Sequence, residues 1–286
     1  MKIKFGVDTF IWSEDFGEKD LWVIKKADIL GFEVIDIAVA HPETFPVKKV
    51  KEELTKTKLK VVTTTTLGVN TNPLSADESI RKNAVNHLKK LVEINKELGA
   101  TILGGVNYAG WGCLSGKPRT EVEWKRSVET MREVAEYALD VYPELKICVE
   151  PVNRFETHFL NIAEDAVKYC KDVGTGNIGV HLDCFHMIRE EKSFTGAVKT
   201  CGKEYLTYIH VNENDRGIPG TGLVPFKEFF KALKDINYEG YCVIESFDPS
   251  FEELNKNCAI WRKFADTGED LAIQGLANLK KIAEAI

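Results

Sequence analysis

Four stretches of this chain run from apolar residues straight into a group that can hold a proton or a metal. "KICVEP" reaches Glu150, "GVHLDCF" reaches Asp183, "YIHVNEND" reaches His210 and "CVIESF" reaches Glu245. Each follows three or more largely apolar residues, the pattern of a buried strand coming to its end. Three carboxylates brought together without a counter-charge raise one another's pKa values. A divalent cation removes that problem. Three carboxylate oxygens and one imidazole nitrogen, with positions left for water or substrate, suit Mn²⁺ or Co²⁺, with Mg²⁺ as an alternative. The set contains no thiolate, which disfavours a structural zinc site. A single acid at a strand end is usually a helix cap or an ion-pair partner. Four such groups on consecutive strands are poorly explained that way.

The elements that must position them alternate. "KIKFGVDTF", "FEVIDIAV", "LKVVTTTTLG", "ATILGGV", "LKICVEPV", "NIGVHLDCF", "YLTYIHVNE" and "GYCVIESF" read as strands. Between and after them, helical patterns cover 19–30, 47–57, 77–98, 121–141, 162–172, 194–201, 225–235 and the C-terminal end. Strands apolar on both faces and separated by helices predict a parallel sheet. Eight such units predict a closed (β/α)8 TIM barrel, one domain over residues 1–286. The alternative is an open doubly wound sheet, but "GVDTFIW" lacks the G-x-G-x-x-G fingerprint of one. In a barrel the four groups would share the C-terminal end of the strands, where active sites lie.

Composition narrows the partners. The 286 residues carry a formal net charge of −6, which argues against nucleic acid or an anionic membrane. No signal peptide or membrane-spanning run is evident. The seven cysteines are odd in number and form no C-x-x-C, so they read as reduced, mostly buried thiols of a cytoplasmic protein. Among the other histidines, His181 shares the inward face of its strand with Asp183 and reads as a packed core residue. His87 reads as solvated on the polar face of a long helix, and His158 has no assignable role.

At this point the motifs resemble a known family. "EPVNRFETHFLN", "HLDCFHM", "HVNENDRGIPGTG" and "VIESF" followed by "IWRKF" are similar to segments of the ketose 3-epimerases. That group includes the D-tagatose, D-allulose (D-psicose) and L-ribulose 3-epimerases, within the xylose isomerase-like TIM barrels. The resemblance covers essentially the whole chain. It implies metal ligation by Glu150, Asp183, His210 and Glu245, the four groups already selected. It also implies that Glu156, His186 and Arg216 bind the sugar near its reacting carbons, and that the protein is a homodimer or homotetramer without an organic cofactor. Where many members carry an aromatic residue, this chain has Asp8, which as a pocket carboxylate would favour a hydroxyl-rich substrate end. Trp12, Trp111 and Phe247 are aromatic candidates for the apolar face of a sugar. The Gly-rich "NYAGWGCLSGKPR" is a candidate lid.

The expected reaction is C3 epimerisation of an unphosphorylated ketose through a cis-enediolate, with Glu150 and Glu245 as the two proton-transfer groups. The rivals on the same barrel are an aldose–ketose or hydroxypyruvate-type isomerase working by hydride shift, and an isomerase or dehydratase of inositol derivatives. A nuclease needs a His-rich multi-metal site and a basic face. A non-catalytic sugar-binding protein has no need of two opposed carboxylates.

Overall fold

The computed structural model describes residues 2–286. Eight parallel strands pair in chain order and close into a barrel. They are β1 (Lys4–Asp8), β2 (Val34–Ala38), β3 (Lys60–Thr66), β4 (Ile102–Val106), β5 (Lys146–Val149), β6 (Ile178–Asp183), β7 (Leu206–His210) and β8 (Tyr241–Ile244). The outer ring comprises α1 (Trp22–Ile29), α2 (Val47–Leu54), α3 (Glu78–Leu98), α4 (Glu121–Val141), α5 (Ala163–Val173), α6 (Cys184–Glu190), α7 (Phe194–Tyr205), α8 (Phe226–Asp235), α9 (Glu252–Cys258) and α10 (Gly268–Glu284).

Local chemistry sets several boundaries. Thr120 and Glu123 form a reciprocal capping box that starts α4. Gly99 ends α3 with a left-handed backbone. Asp183 both ends β6 and caps α6, accepting from the amides of Phe185 at 2.6 Å and His186 at 3.2 Å. The single helix expected between the sixth and seventh strands is therefore two. The short α6 was hidden because its seven residues hold too few turns to show a period. The second, α7, runs on to Tyr205 across a break at Gly202.

Inside the barrel, residues two apart share a face. Val34, Val62, Ile102, Cys148, Tyr208 and Val243 pack there as one apolar layer. The next inward residues up the strands are Asp36, Thr64, Gly104, Glu150, His210 and Glu245. The interior thus changes from apolar to ionisable within one residue pair. A Cβ on Gly104 would approach Nδ1 of His181 to 3.1 Å and Tyr208 to 3.2 Å, so the glycine makes room for both rings. Between β6 and β7 the register slips: Val180 pairs with Leu206, but His181 pairs with Tyr208 and Asp183 with His210. Such bulges re-aim side chains beside active sites.

All seven cysteines are free, and only Cys113 and Cys258 are partly exposed. No helix among the described residues is long and apolar enough to cross a membrane. His87 differs from its expectation. It is half-buried, with Nε2 at 3.4 Å from Oγ1 of Thr65, because its side chain reaches back toward β3.

Candidate active site

The strand ends of β5 to β8 bring the four expected groups together. Asp183, His210 and Glu245 offer ligand atoms within 4.8 Å of one another. Glu150 makes a similar group with Asp183 and His186, and another with His181 and His210. His210 Nδ1 lies 3.5 Å from Asp183 and 3.6 Å from Glu245. That nitrogen is buried and has no hydrogen-bond partner. A lone pair aimed among carboxylates is what a cation would occupy, so the donor set fits a hard divalent ion.

The electrostatics describe crowded charge. Burial pushes the Glu150 carboxyl well above the usual carboxylate range, with Asp183 and Glu245 adding to the rise and His210 offsetting part of it. Burial opposes the Asp183 charge too, but His186, His210 and Arg216 hold it below the usual range. Burial also disfavours a charged His210. Glu245, the nearby Asp183 and the hydrogen bond to Asp36 outweigh that and raise its pKa well above the ordinary value. A bound cation would reverse this balance by favouring every carboxylate charge and the neutral imidazole.

Above this cluster, Glu156 and His186 are held by the loop after β5. Glu156 accepts from the Trp111 indole at 2.7 Å and from the Asn153 amide at 2.8 Å. Burial works against its charge, yet His186, Arg216 and these two donors keep its pKa below the usual carboxylate range. The backbone amide of Asn153 donates to Nδ1 of His186 at 3.1 Å. Nδ1 therefore accepts there, and Nε2 lies 3.4 Å from Nη2 of Arg216 and 3.8 Å from Glu150. Arg154 turns outward to Glu190, and His158 reaches Glu123 in the capping box of α4.

Arg216 lines the same space as Glu156 and His186. Its guanidinium pairs with Glu245 and lies 3.8 Å from Asp183, between the rings of Phe185 and Phe247. Bracing Glu156 is left to Trp111 and Asn153. The cause is local: Arg216 takes a left-handed backbone with φ 63°, held by Ser246 Oγ donating to its carbonyl. Buried Glu213 shapes that loop by accepting from the amides of Asn214, Gly220 and Val224.

A cavity of about 280 Å³ opens over these groups. Glu150, Glu156, His186, Arg216 and Glu245 line one part, and Phe10, Trp111, Phe247 and Leu254 are among the apolar residues that line another. Two expected lining residues are absent from it. Asp8 is fully buried, because it caps the short 3-10 turn of Thr9–Ile11 through the Phe10 amide. Burial, then Asp36 and Glu245, push its pKa well up, so it offers the cavity no carboxylate. Trp12 follows that turn on the outer side, where its indole approaches Gly268, and Phe10 takes the place in the lining. The candidate lid is anchored through Gly110 to Asn72, Trp111 to Leu67 and Gly112 to Glu156. Exposure is confined mainly to its outer part, including Leu114 to Pro118.

Sequence reasoning missed two polar residues. Asn212 donates to Asp183 at 2.6 Å and to Glu245 at 3.2 Å, and accepts from the Glu245 amide at 2.9 Å. Its position two after His210 was the available signal. Asp36 lies 3.1 Å from Nε2 of His210. A lone acid inside the apolar "VIDIA" was the only hint.

Comparison with known proteins places this geometry. Residues 24–282 match the family described as the xylose isomerase-like TIM barrel. The chain is 31% identical to a probable ketose 3-epimerase of Synechocystis sp., covering 98% of this chain and 96% of the relative. It is 33% identical to the D-psicose 3-epimerase of Ruminiclostridium cellulolyticum, covering 94% and 92%. The crystal structure of D-allulose 3-epimerase from Methylomonas sp. in complex with D-allulose superposes with a TM-score of 0.92 at 30% identity, covering 98% of this chain and 97% of the other. The chain thus belongs to the xylose isomerase-like TIM barrel family. Within it, the protein is a member of the ketose 3-epimerases, an isomerase of the carbohydrate-epimerase type.

Proposed function

We propose that this enzyme inverts C3 of an unphosphorylated ketose, of the D-allulose/D-fructose, D-tagatose/D-sorbose or L-ribulose/L-xylulose type, using a divalent cation. The observation that carries this reading is the convergence of Glu150 and Glu245 on one cavity from β5 and β8, with Asp183 and His210 on the strands between them. Glu150, Asp183, His210 and Glu245 would hold the cation, with Mn²⁺ or Co²⁺ the favoured ions. When bound, it supplies Lewis-acid polarisation of the substrate carbonyl, which acidifies the neighbouring C3–H.

The residues supply position and proton transfer. Glu150 and Glu245 would take the C3 proton on one side and return one on the other, through an enediolate. His186 lines the cavity beside Arg216 and is placed to hydrogen-bond a substrate oxygen. The ionised Glu156, fixed by Trp111 and Asn153, accepts from a hydroxyl. Arg216 keeps Glu245 oriented through their ion pair. The only basic side chain in the lining is Arg216, and it is engaged by Glu245, so a sugar phosphate finds no free cation there. Incubation of D-allulose, D-fructose, D-tagatose and L-ribulose with Mn²⁺-loaded enzyme tests the reading. C3 epimers should form from at least one. Conversion only to aldoses would favour the hydride-shift isomerase instead.

A further inference from the structure

Asp36 sits on β2 beside His210, outside the cavity lining, and is fully buried. Three groups converge on its carboxylate. Tyr208 Oη donates to Oδ2 at 2.5 Å, Thr64 Oγ1 donates to Oδ1 at 3.0 Å, and His210 Nε2 lies 3.1 Å from Oδ2. The His210 ring is fixed from the side as well, edge-on to His181 at 4.2 Å and to Tyr208 at 5.2 Å between centroids. On its far side, Nδ1 is buried without a partner among Asp183 and Glu245.

We propose that Asp36 is a positioning residue that fixes His210 as the Nε2–H tautomer and so presents the Nδ1 lone pair to a divalent cation. A carboxylate accepts and does not donate, so the proton in this contact belongs to Nε2. A neutral imidazole protonated there has its only lone pair on Nδ1. Tyr208 and Thr64 occupy the other acceptor positions and prevent the carboxylate from turning away. Histidine ligands depend on such partners for ring orientation and basicity, and losing the partner typically costs 10- to 100-fold in metal affinity. The role rests on the metal-dependent reading given above. It goes beyond that reading by assigning a fifth strand, β2, from across the barrel, to the same site.

The test is Mn²⁺ affinity by competition with a fluorescent chelator, in the wild type and in Asp36→Ala, Asp36→Asn and Tyr208→Phe. Asp36→Ala should bind Mn²⁺ roughly 10- to 100-fold more weakly. Asp36→Asn should fall between it and the wild type, since an amide oxygen still accepts from Nε2–H. Tyr208→Phe keeps the His210–Asp36 contact and should lose least. Circular dichroism of the metal-free proteins separates this from misfolding. Lower melting temperature with unchanged Mn²⁺ affinity overturns the proposal. If the Asp36 variants do not fold, ¹⁵N-resolved imidazole spectra of the Mg²⁺-loaded wild type decide, with His210→Gln supplying the assignment. An Nε2–H signature supports the proposal and an Nδ1–H signature overturns it. Wild-type protein that binds no Mn²⁺ overturns both this role and the metal-dependent reading. Tight wild-type binding with unaltered Asp36 variants overturns this role alone.

Discussion

The two halves of the barrel mouth are built for different tasks. Strands β5 to β8 deliver Glu150, Asp183, His210 and Glu245 to one level. Strands β1 to β4 also carry acids, Asp8 and Asp36, directly paired across the β1–β2 ladder. Those acids are fully buried and absent from the cavity lining, where the wall on this side is Phe10, Ala40, Thr66 and Val106. The same residue type is used in two ways: Glu150 and Glu245 line the cavity, and Asp36 is buried behind the lining against His210. Ionisable groups of the lining are thus concentrated on one half and apolar wall on the other. Changes in the β5–β8 half should act on turnover, and changes in the β1–β4 wall on affinity and sugar choice.

The sharpest way to break that division is to remove the metal. Dialysis against a chelator should abolish turnover, and Mn²⁺ or Co²⁺ should restore it, as followed by polarimetry on a ketose substrate. Full activity in exhaustively chelated enzyme would remove the β5–β8 half from the account. Next in size, Glu150→Gln and Glu245→Gln should each lower kcat by roughly 10²- to 10⁴-fold, the range for losing a general acid–base group. The folded far-ultraviolet spectrum should be retained. Smaller again, Glu156→Gln should cost roughly 10- to 100-fold in kcat/KM, the loss of one charged hydrogen bond. Phe10→Ala, on the other half, should raise KM by less than roughly tenfold, through lost apolar contact. It should also change the ranking of sugars more than kcat. An equal loss of kcat in Phe10→Ala and Glu156→Gln would show that the halves are not separate.

The smallest expected effect lies outside the mouth. Burial, as the leading cause, lowers the His87 pKa below its ordinary 6.5. The unfolded chain then binds the proton first as pH falls. The stabilisation from neutral His87 is complete above pH 6.5 and declines as pH drops from there toward the folded-state pKa. His87→Gln should flatten urea stability over that window and leave kcat unchanged.

Much of this division was legible in the sequence, for physical reasons that differ by element. Glu150, Asp183, His210 and Glu245 each cap an apolar strand, so a local pattern exposed all four. The helix expected over 121–141 matches α4, whose start is fixed locally by the Thr120–Glu123 capping box. Asp36 was not readable, since its partner His210 is 174 residues away and only closure of the barrel joins β2 to the β7 side. The exchange of Trp12 for Phe10 depends on a three-residue 3-10 turn, below the resolution of any periodicity. The turn of Arg216 toward Glu245 depends on a positive φ at a non-glycine residue, which no composition rule foretells.

The central claim is that protons cross the C3 face between Glu150 and Glu245, and it can be tested directly. The wild-type enzyme, loaded with Mn²⁺ for turnover and then stripped of metal for NMR, should convert a ketose in D₂O to its C3 epimer with solvent deuterium at C3. Epimer formed with C3 hydrogen fully retained from the substrate would contradict proton transfer and this account of the site.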